Sequence, residues 1–106
     1  MPKYLWEVSY TPDGLAGLMK DGGTGRRAAV QQLIEKLGGR VEVFYFAFGS
    51  HDAYATVELP DHRAAAAAAL AVNAQGKVQL KTTVLLTPEE IDEATKTNVD
   101  YRPPGD

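Results

Sequence analysis

Four stretches of the chain predict β-strands, either because apolar and polar residues alternate with period two or because branched and aromatic residues are frequent. The first is "KYLWEVSY" at residues 3–10. The next two, "RVEVFYFAF" at 40–48 and "DAYATVEL" at 52–59, follow each other closely and predict an antiparallel hairpin. The fourth is "GKVQLKTTVLL" at 76–86. The chain is therefore expected to build a sheet whose apolar face needs a cover.

Helical patterns separate these strands. Thr11 caps a short helical turn that Gly22 and Gly23 break, and residues 24–37 then carry one apolar stripe at three- and four-residue spacing. Asp61 caps an alanine-rich stretch that has a high helix propensity. Both helices lie between consecutive strands, so they can cover one face of the sheet.

A third helical pattern follows the last strand. Thr87 and Glu90 have the spacing of a capping box, and the proline-containing tail at residues 98–106 is expected to be extended. The order of elements predicts a single α+β domain over residues 1–106, with the ferredoxin-like βαββαβ arrangement and an extra C-terminal helix. The sheet is antiparallel, with the helices on one face.

The second strand is apolar on both sides, which predicts a cover for the sheet face without helices. Simple alternation places Phe44, Phe46 and Phe48 on one side and the valines and tyrosine on the other. We expect the phenylalanines on the face without helices, where they would form an exposed apolar patch. The simplest cover is a second copy, so the sequence predicts a homodimer with its sheets face to face.

Charge and composition exclude several classes of partner. The net charge is -3, so the chain lacks the basic excess that binding to nucleic acid or to an anionic membrane requires. It has no cysteine and no long apolar segment, which favours a cytoplasmic protein. Two separated histidines and scattered carboxylates do not predict a metal site.

Three longer segments resemble the GYD domain family of small bacterial proteins. They are "GGTGRRAAVQQLIEKLGGRVEVFYFAFGSHDAYATVELPD", "LKTTVLLTPEEIDEA" and "YRPPG". The resemblance implies a ferredoxin-like protomer and a dimeric α+β barrel, and it implies no established activity. The chain departs from the motif behind the family name, because Gly49, Ser50, His51 and Asp52 place a histidine where a tyrosine is expected.

His51 and Asp52 have two interpretations. They are residues of a hairpin turn, or an acid–base pair in which the carboxylate sets the histidine tautomer. Neighbouring residues of a strand point to opposite faces, which argues against a direct bond between them. No cofactor is predicted. Haem ligation by His51 is the alternative, because other α+β barrel dimers bind haem through histidine.

Four further residues are predicted on the face without helices. Alternation and strand order place Glu7, Tyr54, Glu58 and Lys81 there. A lysine among carboxylates in a dimer cleft is either an interface ion-pair network or a proton-transfer group. These four are the preferred ligand-binding candidates.

Two other groups of residues have a structural and a functional interpretation. Arg26 and Arg27 follow a glycine-rich stretch at a helix start, where they are either surface residues beside a hinge or ligands for an anion. Trp6, with Tyr4 and Tyr10, is either core or the lining of a ligand cavity between sheet and helices.

Three functions are compatible with these patterns. The leading hypothesis is a homodimer that binds a small, partly apolar organic molecule in the α+β barrel cavity. The second is a cofactor-independent monooxygenase, isomerase or cyclase, which the resemblance suggests. The third is a regulatory or scaffolding dimer that acts through its helices and the "YRPPGD" tail. A fold alone does not separate them.

Overall fold

A computed structural model describes residues 1–106, and it contains four strands and three helices in the predicted order. The strands are β1 (Lys3–Tyr10), β2 (Arg40–Phe46), β3 (Ala53–Glu58) and β4 (Val78–Leu85). The helices are α1 (Pro12–Lys36), α2 (His62–Ala74) and α3 (Pro88–Thr95). Residues 98–106 contain no helix or strand, as predicted for the tail.

The four strands form one antiparallel sheet in the order β2-β3-β1-β4. β1 is central and pairs with β3 on one side and β4 on the other. β2 and β3 form the predicted hairpin. This topology confirms the α+β class and the ferredoxin-like arrangement with an added C-terminal helix.

The first helix changes direction at the predicted glycines. α1 spans 25 residues, but Gly22 has φ 75° and ψ 167°, which is a backbone conformation outside the helical region. Thr11 caps the first half by accepting a hydrogen bond from the Gly14 N–H. No helix of the protein combines the length and apolar character needed to cross a bilayer.

The core lies between the sheet and helices α1 and α2. Alternate residues of β3 and its extension face it, as predicted, and are buried: Ala53, Ala55, Val57 and Leu59. α1 contributes Ile34, which is fully buried, and α2 contributes Ala65 and Ala68. The small alanine side chains allow α2 to lie close to the sheet, which accounts for the alanine-rich stretch.

The phenylalanines of β2 face the helices, so the prediction of an exposed phenylalanine patch is wrong. Val41 lies opposite Val57, but the next pair is Val43 with Thr56, which marks a β-bulge in β2. The extra residue reverses the alternation. Phe44 and Phe46 therefore lie opposite Ala55 and Ala53 on the helix side.

The face without helices carries different residues of β2. Val43 and Tyr45 lie there, beside Thr56 and Tyr54, and are 42% and 70% exposed. Phe48 lies beyond the end of β2, has φ 57° and is also exposed. The second strand is thus apolar on both sides, as predicted, but from Val43 onward its two sets of side chains lie on the faces opposite to those predicted.

The C-terminal region projects from the rest of the domain. α3 has no buried residue, although the predicted capping box of Thr87 and Glu90 is formed. The Cα radius of gyration is 17.0 Å, compared with about 13 Å for a compact chain of this length. Exposed apolar residues follow the last strand: Leu86, Ile91, Val99 and Tyr101.

The contact between α1 and the start of β4 depends on Gly14. A Cβ at this position would overlap the Lys77 carbonyl group. We expect Gly14→Ala to lower the free energy of unfolding by about 1–3 kcal/mol, the usual cost of overpacking. Gly17→Ala is the control, since it meets no atom within 4 Å and adds helix propensity. Urea denaturation measures both, and equal stability of the two variants would contradict this account.

Candidate functional site

A pocket opens on the helix side of the sheet, between the first half of α1, α2 and the start of β4. We call it the helix-side pocket. Its outer part has a volume of about 470 Å³. The wall is mixed in character, with apolar residues from both helices and charged residues near the mouth: Tyr10, Asp13, Gly14, Gly17, Leu18, Asp21, Arg26, Leu33, Ala71, Val72, Gln75, Lys77 and Val78.

An inner chamber of about 90 Å³ adjoins the outer part on the side of the sheet, and we include it in the helix-side pocket. The two parts share several wall residues: Tyr10, Arg26, Leu33, Val72 and Val78. The remaining wall of the chamber is apolar and comes from β1, α1, β2 and β4: Trp6, Val8, Ala29, Val30, Phe44 and Leu80. The predicted alternative in which Trp6 and Tyr10 line a cavity between sheet and helices therefore has a geometric basis. Tyr4 is buried in the core and lines neither part.

Tyr10 and Arg26 form the polar boundary between the two parts. Burial raises the pKa of the Tyr10 hydroxyl, while the Arg26 guanidinium beside it acts in the opposite direction. Arg26 also lies 3.7 Å from the Asp21 carboxylate, an ion pair that spans the kink at Gly22. Arg26 therefore places a cation in the wall that the two parts of the pocket share.

The two candidate arginines lie at different places. Arg26 is half-buried in the helix-side pocket, whereas Arg27 is exposed and lies near the edge strand β2, beside Phe44 and Tyr45. They do not share one site. A joint anion site formed by both side chains has no support in this geometry.

A second group of polar residues lies on the opposite face of the sheet. We call Glu7, Ser9, His51, Tyr54 and Lys81 the sheet-face cluster. Glu7 lies directly between Tyr54 of β3 and Lys81 of β4 in the strand register. His51 reaches over β1, with its Nε2 3.1 Å from the Glu7 carboxylate and its Nδ1 3.2 Å from the Ser9 hydroxyl.

The contacts of His51 define the direction of its hydrogen bonds when Glu7 is ionised. A carboxylate only accepts, so Nε2–H donates to Glu7, and in the neutral ring Nδ1 accepts from the Ser9 hydroxyl. The Tyr54 ring meets the imidazole edge-on, with centroids 5.7 Å apart. The arrangement resembles an acid–base relay in its chemistry, and the His51 side chain is 15% exposed.

His51 and Asp52 do not bond each other, as strand geometry indicates. The Asp52 carboxylate accepts a hydrogen bond from the Tyr10 N–H at 2.8 Å, and its own N–H donates to the Val8 carbonyl. Asp52 therefore fastens the hairpin tip to β1. Both imidazole nitrogens of His51 already face protein groups, so the ring has no free nitrogen for haem iron, and the residues present do not fit a haem site.

Comparison with known families agrees with the resemblance found in the sequence. A model of the GYD domain matches residues 4–95. This chain belongs to the GYD domain family. No curated protein and no solved structure gave a significant match.

In this GYD domain, Glu58 lies apart from the sheet-face cluster. Its carboxylate binds Lys3 at 3.0 Å and also pairs with Arg40, at the other end of β3 from Tyr54. Four residues along a strand correspond to about 13 Å. The structure therefore brings together Glu7, Tyr54 and Lys81 and leaves Glu58 in a separate ion-pair group.

Sequence patterns did not identify two contacts of the GYD domain. Ser9 joins the sheet-face cluster, and only its position two residues after Glu7 on the same face of β1 indicates this. His62 lies with Nδ1 2.6 Å from the Tyr4 hydroxyl. The first residue of a helix is often exposed, so the sequence contains no signal for the second contact.

The ion pairs of Glu58 predict a pH dependence of stability. Hydrogen bonds from Lys3 and Arg40 hold the pKa of Glu58 below its ordinary value of 4.5. A lowered folded-state pKa contributes stability above the unfolded value, and the contribution is lost as the pH falls through the folded value. Glu58→Gln should therefore lower the urea midpoint at pH 7 and reduce its decline below about pH 4.5.

Glu35→Gln provides the control for this experiment. Glu35 is exposed on α1 and takes part in no ion pair. Glu35→Gln should show the same decline of the urea midpoint at acidic pH as the wild type. The account would be wrong if Glu58→Gln and Glu35→Gln gave the same dependence of urea midpoint on pH.

Proposed function

We propose that this GYD domain is a homodimer that binds a small organic molecule in the helix-side pocket. The observation that carries the proposal is an outer cavity of about 470 Å³ that lies beside an apolar inner chamber and shares five wall residues with it. The proposed location is the cytoplasm, in keeping with a chain that has no cysteine.

The dimensions and chemistry of the helix-side pocket suit such a ligand. Its outer volume of about 470 Å³ falls within the range of about 300–1,000 Å³ that small-molecule sites occupy. Such sites combine an apolar wall with few polar groups. Here the deep wall is apolar, and Tyr10 and Arg26 provide polar groups at the boundary between the two parts.

An enzyme of the cofactor-independent type is the second candidate, and the contacts of His51 favour it. Glu7, Ser9 and His51 provide a carboxylate, a hydroxyl and an imidazole in hydrogen-bond contact. They lie on the sheet face opposite the helix-side pocket, so a ligand in the pocket does not reach them. A reaction inside the pocket would depend on Tyr10 and Arg26 instead.

The ligand proposal predicts a bound molecule in protein purified from its own host. Native mass spectrometry should show an added mass on the wild-type protein at near-stoichiometric occupancy. Val72→Trp should lose most of this mass, because Val72 lines both parts of the pocket. Ala71→Trp, at an exposed position of the outer wall, is a second blocking variant.

Leu70→Trp is the matched control for ligand loss. Leu70 lies on the same helix, is 73% exposed and does not line the pocket. It should retain the added mass. A wild-type protein that carries no molecule, or blocking variants that carry as much as Leu70→Trp, would contradict the proposal.

The proposed dimer places the helix-free faces of two sheets together. This face carries the exposed residues Val43 and Tyr45 and the half-buried Leu5 and Tyr54, with no helix above them. Large residues of this kind mark interfaces when they share one surface. The projecting α3 and the tail add further exposed apolar residues that a second copy can cover.

Tyr45→Glu should weaken this association. A charge placed in a covered apolar contact is costly, and we expect at least a tenfold rise in the dimer dissociation constant, which corresponds to about 1.4 kcal/mol. Leu70→Glu is the matched control, because Leu70 is 73% exposed and Tyr45 is 70% exposed. Leu70 lies on α2, away from the sheet face, so its variant should leave the dissociation constant unchanged. Light scattering across a dilution series measures both. A monomeric wild type, or equal effects of the two variants, would refute the face-to-face dimer.

A further inference from the structure

The outer edge of β4 has no neighbouring strand in the chain. β4 pairs with β1 along one edge and is the last strand of the sheet on that side. In an antiparallel pair, successive residues direct their N–H and C=O groups alternately toward the neighbouring strand and away from it. Every second residue of β4 therefore presents its backbone hydrogen-bonding groups to the outside, where another strand can bind them.

The contacts of Leu80 show which residues of β4 point outward. The Leu80 N–H donates to Oδ1 of Asn73 at 2.7 Å, and the Leu80 carbonyl accepts from Nδ2 of the same side chain at 3.2 Å. Leu80 is paired with Val8 of β1, and the Val8 carbonyl accepts from the Asp52 N–H on the other side of β1. Leu80 and Val8 therefore direct their backbone groups away from each other.

Thr82 and Val84 follow Leu80 at two-residue spacing, so their N–H and C=O groups point outward as well. The Asn73 side chain closes the edge at Leu80 in place of a strand. No side chain binds the backbone of Thr82 or Val84, and both residues are exposed, Val84 to 52%. We call residues 82–84 the open edge.

The opposite edge of the sheet is protected against strand pairing. β2 has a bulge between Val41 and Val43, and Arg40 lies at its start. Bulges and charged residues are two features by which sheet edges avoid other strands. The open edge has neither, because β4 keeps a regular register with β1 and residues 82–86 are uncharged.

A second copy of the chain fits the open edge with twofold symmetry about Thr83. In this antiparallel register, the Thr82 N–H donates to the carbonyl of Val84 of the partner subunit, and the Thr82 carbonyl accepts from the N–H of the same residue. The twofold axis repeats both bonds. Four hydrogen bonds then satisfy every outward group of Thr82 and Val84 in the two copies.

The side chains suit this register. Thr82 meets Val84 of the partner subunit, and cross-strand pairs of β-branched residues suit a pleated sheet. Lys81 lies opposite Leu85 of the partner subunit, so no like charges face each other directly.

Charges beyond the paired stretch are complementary. The antiparallel direction carries the first turn of α3 toward the start of β4 of the other copy. This turn contains Glu89 and Glu90, and Lys77 at the start of β4 has a side chain that is 61% exposed. Opposite charges therefore approach each other at both ends of the pair.

We propose that the open edge pairs with the same edge of a second copy, so that two sheets join into one antiparallel sheet. This contact goes beyond the face-to-face dimer, because it uses the edge of the sheet and leaves the helix-free face accessible. A ladder this short buries less area than the roughly 1,200–2,000 Å² of stable complexes. Edge pairing therefore joins protein units at high concentration and dissociates on dilution.

A charge exchange at the open edge tests the partner and the register together. The full chain carries Tyr45→Glu, which weakens the face-to-face contact and leaves β4 unchanged. One variant adds Thr82→Lys and Val84→Lys, and a second adds Thr82→Glu and Val84→Glu. Each variant alone should associate at least tenfold more weakly, because like charges lie directly opposite each other. An equimolar mixture should restore the association, because every lysine then faces a glutamate.

Light scattering over a rising concentration series measures the association. Gln31→Lys with Gln32→Lys is the matched control for the lysine variant. Both glutamines are exposed on the part of α1 that precedes β2, the strand at the opposite edge of the sheet from β4. This control should associate as the Tyr45→Glu protein does.

Amide hydrogen exchange of the Tyr45→Glu protein reports the same contact without a change in β4. The Thr82 and Val84 amides should exchange at least tenfold more slowly at high than at low protein concentration, because they are bonded only in the paired state. The Lys81 and Thr83 amides point toward β1 and serve as the internal reference, with the same protection at every concentration.

Three results would overturn the proposal. The first is a lysine variant that associates as tightly as its Gln31→Lys, Gln32→Lys control. The second is a mixture of the lysine and glutamate variants that associates no better than either alone. The third is exchange of the Thr82 and Val84 amides at one rate over the whole concentration series, including the case in which a copurified peptide rather than a second copy protects them.

Discussion

The central position of β1 in the sheet determines both candidate sites. β1 is hydrogen-bonded to β3 on one side and to β4 on the other. Pairing with both neighbours fixes which side chains of β1 point to each face of the sheet. Trp6 and Tyr10 point to the helices and line the helix-side pocket, whereas Glu7 and Ser9 point away and join the sheet-face cluster. A one-residue slip of β1 would exchange the two sets. The register of one strand therefore positions both sites.

The helix-side pocket exists because α1 is held at two places and bends between them. Its first half is anchored at Gly14, which lies against the Lys77 carbonyl, and its second half is anchored by the buried Ile34. Gly22 provides the backbone conformation for the bend. The outer part of the pocket lies beside this bend, and its wall includes Asp21 and Arg26, which form an ion pair across Gly22.

Local patterns in the sequence predicted the elements well, because strand alternation, glycine breaks and helix caps act over a few residues. β1, the kink at Gly22 and the capping box at Thr87 are confirmed. The orientation of Phe44 and Phe46 was predicted wrongly. β2 is apolar on both sides, so its pattern does not show which set faces the helices, and the bulge near Val43 is a property of strand pairing.

The polar contacts of the candidate sites were less predictable than the elements. Glu7, Tyr54 and Lys81 could be placed together because strand order and alternation suffice for that. The loop that brings His51 to Ser9 is irregular, so the periodicity of the sequence does not predict its path. The buried indole nitrogen of Trp6 has no hydrogen-bond partner in the protein, and this too depends on tertiary packing rather than on neighbouring residues in the sequence.

The separation of the two sites onto opposite faces bears on the proposed assembly. In a face-to-face dimer the sheet-face cluster would be covered and the helix-side pocket would remain open on the outer side. Covering charged groups is costly unless they are paired. The Glu7 carboxylate contacts the His51 imidazole and has Lys81 opposite it on β4. The Glu58 carboxylate forms an ion pair with Lys3. These pairings within one chain would allow a partly polar sheet face to be covered, so in the proposed dimer ligand entry and dimer formation would use different faces of the sheet.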